Sequence, residues 1–188
     1  MQQRRAKDRG FTLLEMVTVL GILGVMTGLA IVSMNPLREQ ATVRQGAEQL
    51  QQLLQLARKK ALGSSRCYRV ELLDVHGEAV PAGAPAIAVR LRRYLRPGCH
   101  FPDPPGSPQP TTADFEGSDT FGLPHGTTAT LVDPPQVLDV LPTGRPKLSA
   151  GLSQVRFEVR HQQEVYWVDL MPSGAVCQYS ASAPRDCP

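Results

Sequence analysis

The chain has 188 residues, which is enough for one membrane-spanning segment and one modest globular domain. Its net charge of +3 comes from the first ten residues, where four basic residues accompany a single acidic one. The rest of the chain carries sixteen basic and sixteen acidic residues, which excludes a general electrostatic attraction to nucleic acid. Four cysteines without metal-ligand spacing predict disulfides in an oxidising compartment, with free buried thiols as the alternative.

A continuous apolar segment, residues 11–34, begins directly after the basic residues. As a helix it would be about 36 Å long, enough to cross a hydrocarbon core of about 30 Å. Residues 1–10 are expected to stay in the cytoplasm, so the C-terminal bulk is delivered to the other side. Glu15, five residues into this segment, is out of place, because a carboxylate costs on the order of 2.5–3.5 kcal/mol near the bilayer centre and less near an interface, and it needs a partner. The segment lacks the small-residue site of an ordinary secretory signal, and a simple anchor with a tolerated Glu is the alternative.

The junction between the basic leader and the apolar segment resembles the class III signal of type IV pilin-like proteins, and it reads Gly10-Phe11-Thr12-Leu13-Leu14-Glu15. The resemblance implies that a prepilin peptidase cleaves after Gly10 on the cytoplasmic side and methylates the new N-terminal Phe11. It also implies that Glu15 neutralises an N-terminal amine during filament assembly. The physical chemistry agrees, because a buried amine and a buried carboxylate each offset the other's desolvation.

A second helical segment is predicted at residues 35–62. Pro36 at its start indicates a kink or a local break. Beyond it the helix becomes amphipathic, with one apolar stripe formed by Ala47, Leu50, Leu54, Ala57 and Ala61. This half is expected to pack against a sheet of its own domain and to end at Gly63-Ser64-Ser65.

Residues 63–188 are predicted to form a β-rich periplasmic or extracellular domain. Apolar side chains at every second position predict half-buried strands at residues 67–72 and 87–92. These strands are expected to pair as an antiparallel hairpin with a long loop. Because this pairing brings Cys67 back toward Cys99, we expect a disulfide between them.

The stretch 97–136 is predicted to be a long irregular loop, since it contains nine prolines and little periodicity. Its scattered acidic side chains match no calcium-binding spacing, so a solvated acidic loop is favoured over a cation site. These side chains are Asp103, Asp114, Glu116, Asp119 and Asp133.

Order returns in the last third, with strands expected at 137–141, 155–159, 165–171 and 175–179. The sequence Asp139-Val140-Leu141-Pro142-Thr143-Gly144 is echoed by Asp169-Leu170-Met171-Pro172-Ser173-Gly174. Pro at the second and Gly at the fourth turn position fit a type I turn, so the echo predicts two strand–turn units rather than a catalytic repeat. A second disulfide, Cys177–Cys187, is expected to close the C-terminal loop.

The long helix, the first strand and the last hairpin resemble the GspH/FimT branch of the pilin-like superfamily. The resemblance implies an α+β fold with the N-terminal helix packed on an antiparallel sheet. It implies a minor pilin or pseudopilin that primes or caps a type IV pilus or a type II secretion pseudopilus. The expected partners are the prepilin peptidase, other minor subunits, the major pilin and, before assembly, the bacterial inner membrane.

Enzyme chemistry is not expected, because the sequence shows no nucleophile, phosphate-loop or dinucleotide motif and no cofactor signature. The four histidines lie far apart, so no metal site is predicted. A FimT-type DNA-binding pilin is the alternative function, with possible phosphate contacts from Arg90, Arg92 and Arg93. The Gly-Arg-x-Arg stretch of such pilins is absent, since the matching position reads Gly174-Ala175-Val176-Cys177. Nucleic acid is therefore an unlikely partner.

Overall fold

The computed structural model describes residues 12–33, 35–95, 99, 111–132, 138–148 and 153–182. The chain divides into two compact units, residues 1–38 and residues 39–188. The predicted leader at 1–10 with its cleavage residues Gly10 and Phe11 lies outside the described residues, and so does Cys187.

Two helices occupy the N-terminal third, α1 (Leu13–Ser33) and α2 (Asn35–Ser64). The helix α2 ends two residues beyond the predicted boundary, where Ser65 adopts a left-handed backbone conformation with φ of 52°. Such a residue commonly terminates an α-helix, because the chain can no longer continue the helical hydrogen bonds. The predicted apolar stripe of α2 is confirmed, since all five of its side chains are at most 1% exposed.

The second unit contains two four-stranded antiparallel sheets. Their strands in the described residues are β1 (Tyr68–Leu73), β2 (Ala88–Tyr94), β3 (Phe115–Gly122), β4 (Thr127–Leu131), β5 (Leu138–Val140), β6 (Val155–His161), β7 (Glu164–Leu170) and β8 (Val176–Ser180). Sheet A has the order β3-β2-β1-β5, and sheet B has the order β4-β6-β7-β8. The predicted α+β fold is confirmed.

One apolar core joins α2 to both sheets. The alternating apolar residues of β2 and β6 face it, as their alternating burial shows. The helix approaches sheet B closely at Gly46, where an added Cβ would lie 2.9 Å from Thr127 Cγ2. The two sheets are themselves linked by a pair of backbone hydrogen bonds between Ala86 and Ala129, each 2.8 Å long.

The predicted first hairpin is present, with β1 and β2 paired from Tyr68–Arg93 to Leu73–Ala88. The prediction that β1 is only half-buried is wrong. Arg69 points away from the apolar side chains of its strand, yet it is only 4% exposed. It is covered because β5 pairs with β1 and places Asp139 beside it.

The prediction of an irregular loop at 97–136 is wrong for its second half. A short 3₁₀ helix (Thr112–Asp114) leads into β3, and β4 follows. The strand β3 forms an edge of sheet A and seven of its eight residues are exposed, so it carries no apolar alternation that a sequence could reveal. Gly117 interrupts it in a left-handed conformation (φ 68°), opposite a register shift in β2 that is typical of a β-bulge.

The strands of the last third are confirmed, with boundaries shifted by one or two residues. The turn between β6 and β7 is tight, and Gln162 within it has φ of 51°. Both echoed segments form strand–turn units, since Gly144 and Gly174 donate to the carbonyls of Leu141 and Met171 at 2.8 Å.

Candidate functional site

The helix α1 begins with a side-chain cap. The amide of Glu15 donates to Thr12 Oγ1 at 3.3 Å and to the Thr12 carbonyl at 3.1 Å. The spacing Thr-x-x-Glu is that of a capping box, and an acidic residue in the first turn also suits the helix dipole. The side-chain cap of Thr12 was not predicted, although the Thr12–Glu15 spacing signals it.

From Leu13 to Met26, the apolar side chains of α1 are exposed. Every Leu, Ile, Val and Met side chain from Leu13 to Met26 is between 47% and 83% exposed. Two hydroxyls on this helix bond within it, that of Thr18 to the Glu15 carbonyl at 2.9 Å and that of Thr27 to the Leu23 carbonyl at 2.7 Å. A helix that is apolar all round and internally satisfied is suited to lipid or to a bundle of other helices.

Within the described residues, no helix combines the length and the apolar character required of a membrane-spanning segment. The predicted membrane crossing at 11–34 stays a prediction.

The arginines proposed for DNA contact are each paired with a carboxylate. Arg90 and Arg92 both contact Glu71, with Nη–Oε distances of 2.7 Å and 3.6 Å. Arg93 contacts Glu116 at 2.6 Å. Because side chains alternate along a strand, Arg90 and Arg92 share one face of β2 and Arg93 lies on the other. The structure does not bring the three together as one uncompensated basic patch.

The three cysteines among the described residues are in disulfides. A disulfide joins Cys67 to Cys99, the pair that the hairpin geometry favours, with a Cα–Cα distance of 5.3 Å. Cys177 is also disulfide-bonded. Its expected partner, Cys187, lies outside the described residues.

Within the described residues, no group of three or more His, Cys, Asp or Glu side chains could hold a metal ion. Two acidic residues of the predicted loop have basic partners instead, Asp119 with Lys60 and Glu116 with Arg93. Asp114 accepts hydrogen bonds from the amide and hydroxyl of Thr111. Asp103 and Asp133 lie outside the described residues.

A buried charged network in sheet A was missed by sequence reasoning. Arg69 donates to both carboxylate oxygens of Asp139, at 2.9 Å from Nε and 3.1 Å from Nη2. The Tyr94 hydroxyl lies 3.2 Å from the same two oxygens. The Arg69 guanidinium also lies 5.3 Å from the ring centres of Tyr94 and Phe115.

Sheet B carries a network of the same composition. Arg156 donates to Asp169 at 2.9 Å and 3.2 Å, and the Tyr179 hydroxyl donates to it at 3.0 Å. The guanidinium lies 5.4 Å from the Trp167 ring centre. Asp139 and Asp169 are the first residues of the two echoed segments, so the echo was the signal for both networks.

In the sheet A network, burial and neighbouring charges shift the pKa values of Tyr94 and Arg69. Burial raises the pKa of Tyr94, and the negative charge of Asp139 raises it further, so the phenol remains a hydrogen-bond donor. Burial alone would lower the pKa of Arg69, but the hydrogen bonds and charge of Asp139 outweigh it and the pKa lies above its ordinary value. A network that holds its protons in this way is suited to structure rather than to proton transfer.

Comparisons with known proteins find similarities to the N-terminal segment and to the fold. The family described as the prokaryotic N-terminal methylation motif matches residues 5–31. The comparison with curated proteins finds no match. The fold is similar to that of the type IV minor pilin FimU of Pseudomonas aeruginosa, with a TM-score of 0.50 and 13% identity, over 80% of this chain and 98% of FimU.

A second solved structure, the minor pseudopilin EpsH from the Type 2 Secretion System of Vibrio cholerae, has a TM-score of 0.48 and 13% identity, over 76% of this chain and 99% of EpsH. At 13% identity the likeness to FimU concerns the fold alone. The chain therefore combines an N-terminal methylation motif at residues 5–31 with a fold similar to that of FimU.

Proposed function

We propose that this chain is a structural subunit that helps to prime or cap assembly of a type IV pilus or a type II secretion pseudopilus. It is made as a precursor in the inner membrane, cleaved after Gly10 by a prepilin peptidase and methylated at Phe11. The folded domain then lies on the periplasmic side, and the subunit joins other minor subunits and the major pilin. The role is structural and requires no cofactor.

The observation that carries the proposal is the exposed apolar helix α1, nearly all of which lies within the residues that match the methylation motif. Each such Leu, Ile, Val or Met side chain costs about 1.5–3 kcal/mol to leave in water, so the helix needs the bilayer before assembly and neighbouring helices after it. The side chains from Leu13 to Met26 are mostly more than half exposed in the single chain. Packing α1 among the helices of neighbouring subunits would replace contacts with lipid by contacts between helices, and we assign the driving force of assembly to this packing.

Glu15 sets the position of the helix in this account. Cleavage after Gly10 creates a positive amine at Phe11, and a carboxylate inside an apolar bundle needs such a partner. The cap at Thr12 uses the backbone amide of Glu15. The change Glu15→Gln therefore removes the charge and leaves this cap in place.

The test compares three variants for entry into filaments, measured by quantitative immunoblot of sheared filaments against total cell protein. Glu15→Gln and Glu15→Ala are expected to lower incorporation at least tenfold, because the amine on the neighbouring subunit is left uncompensated. Thr12→Val weakens the cap while keeping the carboxylate, and it is expected to enter filaments at close to the unaltered level. Entry of Glu15→Gln at the unaltered level would contradict the proposal.

We do not extend the proposal to DNA binding. Arg90, Arg92 and Arg93 are each paired with a carboxylate of their own domain, and a phosphate would have to compete with those pairs.

A further inference from the structure

The two echoed segments meet in the folded domain. In each, the glycine that ends the turn has a left-handed backbone, with φ of 72° at Gly144 and 80° at Gly174. The residues that open the two turns, Leu141 and Met171, donate to the carbonyls of Arg145 and Ala175, both at 2.8 Å. This pattern is typical of a three-residue hairpin loop that ends in a left-handed glycine.

The two turns belong to different sheets, yet they touch. An added Cβ on Gly174 would lie 2.4 Å from the carbonyl oxygen of Gly144, a separation at which backbone must move. Glycine is therefore required at Gly174 for a second reason besides its φ angle. The contact lies four residues beyond the end of β5 in sheet A and four residues beyond the end of β7 in sheet B.

Arg58 of α2 contacts both turns. Its Nη1 donates to the Gly174 carbonyl at 2.9 Å. An added Cβ on Gly144 would lie 3.0 Å from Arg58 Cγ, and one on Gly174 would lie 3.1 Å from Arg58 Nε. The aliphatic stem of Arg58 thus packs on one turn, and its guanidinium bonds the other.

Each turn extends directly from a strand that carries a buried network. Asp139 lies two residues before the first turn and is bound by Arg69, and Asp169 lies two residues before the second and is bound by Arg156. Displacement of either turn would therefore disturb the ion pair between the aspartate and its arginine, which is buried in sheet A and half-buried in sheet B.

We propose that Arg58, Gly144 and Gly174 form a clamp that couples the two sheets, so that local opening of one turn opens the other. The clamp fastens the C-terminal part of α2 to both hairpins, and the two Arg–Asp–Tyr networks then behave as one cooperative unit. This inference concerns the folded domain and stands independently of the proposed function.

The decisive variant is Arg58→Met in the full chain, purified in detergent and followed by amide hydrogen exchange. Methionine keeps the aliphatic stem that packs on Gly144 but cannot donate to the Gly174 carbonyl. Coupling predicts exchange about tenfold faster at both turns, 141–145 and 171–175, a range consistent with the loss of one hydrogen bond to a charged group. Lys59→Met, one residue along the same helix and exposed in the native protein, is the matched control and should change neither turn.

Faster exchange at 171–175 alone would overturn the clamp, because Arg58 would then only cap one carbonyl. Unchanged exchange at both turns would overturn it as well. A second variant, Gly174→Ala, perturbs the contact between the two turns and leaves Arg58 in place, since its methyl group would collide with the Gly144 carbonyl. It is expected to speed exchange at 141–145, and an unaffected first turn in folded Gly174→Ala protein would also reject the coupling.

Discussion

The two Arg–Asp–Tyr networks have the same composition and differ in burial, so they can be compared to measure how much a buried ion pair contributes to stability. Asp139→Asn removes one charge from a pair whose side chains are 5% and 6% exposed, and it leaves the Arg69 guanidinium charged and enclosed. Removing one partner of a buried ion pair costs about 3–5 kcal/mol. For a domain of this size that loss lowers Tm by roughly 10 °C.

The same change in sheet B should cost less. Asp169 is itself fully buried, but the side chain of Arg156 is 27% exposed, so water can solvate it once its partner is neutral. We expect Asp169→Asn to cost about 1–3 kcal/mol, the range for an unsatisfied polar group. The asparagine in both variants has the volume of the aspartate, so neither leaves a cavity.

Guanidinium chloride unfolding of the full chain in detergent, followed by far-UV circular dichroism, measures both losses with one probe. The reasoning predicts that Asp139→Asn is the more destabilising of the two. Equal losses, or a greater loss for Asp169→Asn, would refute the argument that exposure of the arginine decides the cost.

Three further predictions follow from individual contacts. Gly46→Ala should lower the free energy of unfolding by about 1–3 kcal/mol, because its Cβ would lie 2.9 Å from Thr127 Cγ2. Gly63→Ala is the control, because nothing lies within 4 Å of the added Cβ, and thermal unfolding should show no loss of stability for it. The amide of Glu78 hydrogen-bonds Asp74 and holds the pKa of that carboxyl below its usual range. The stabilisation of this turn is therefore fully present above the ordinary pKa of about 4 and lost as the pH falls through the lower native value. Protection of the amides at 74–78, measured relative to their intrinsic exchange rate at each pH, should fall in acid and should not change with pH in Asp74→Asn. Reduction of Cys67–Cys99 should lower Tm, since the bridge closes a loop of about thirty residues, and a Tm unchanged by reductant would contradict this.

The parts of the fold that could be predicted from the sequence are those with strong local patterns. The stripe on α2 and the alternation in β2 arise because each element has one face on the core. The pairing Cys67–Cys99 followed from the hairpin alone, since antiparallel strands return the chain to its starting edge.

The parts that were missed depend on distant residues. The strand β3 lies at a sheet edge and is exposed along most of its length, so its pairing with β2 leaves no period in its own sequence. The strand that contains Arg69 was predicted to be half-buried because charged side chains usually face solvent, and only Asp139, seventy positions away, makes the burial of Arg69 possible. The repeated Asp-x-x-Pro-[Ser/Thr]-Gly segment was recognised as two turns, but its aspartates and its contact with Arg58 required the folded structure.

The central claim, that this chain is processed and assembled as a pilin-like subunit, is tested most directly by the intact mass of the protein extracted from membranes. The account predicts a chain that begins at Phe11 and carries one added methyl group. A chain that still begins at Met1, or one cut after the apolar segment, would contradict it.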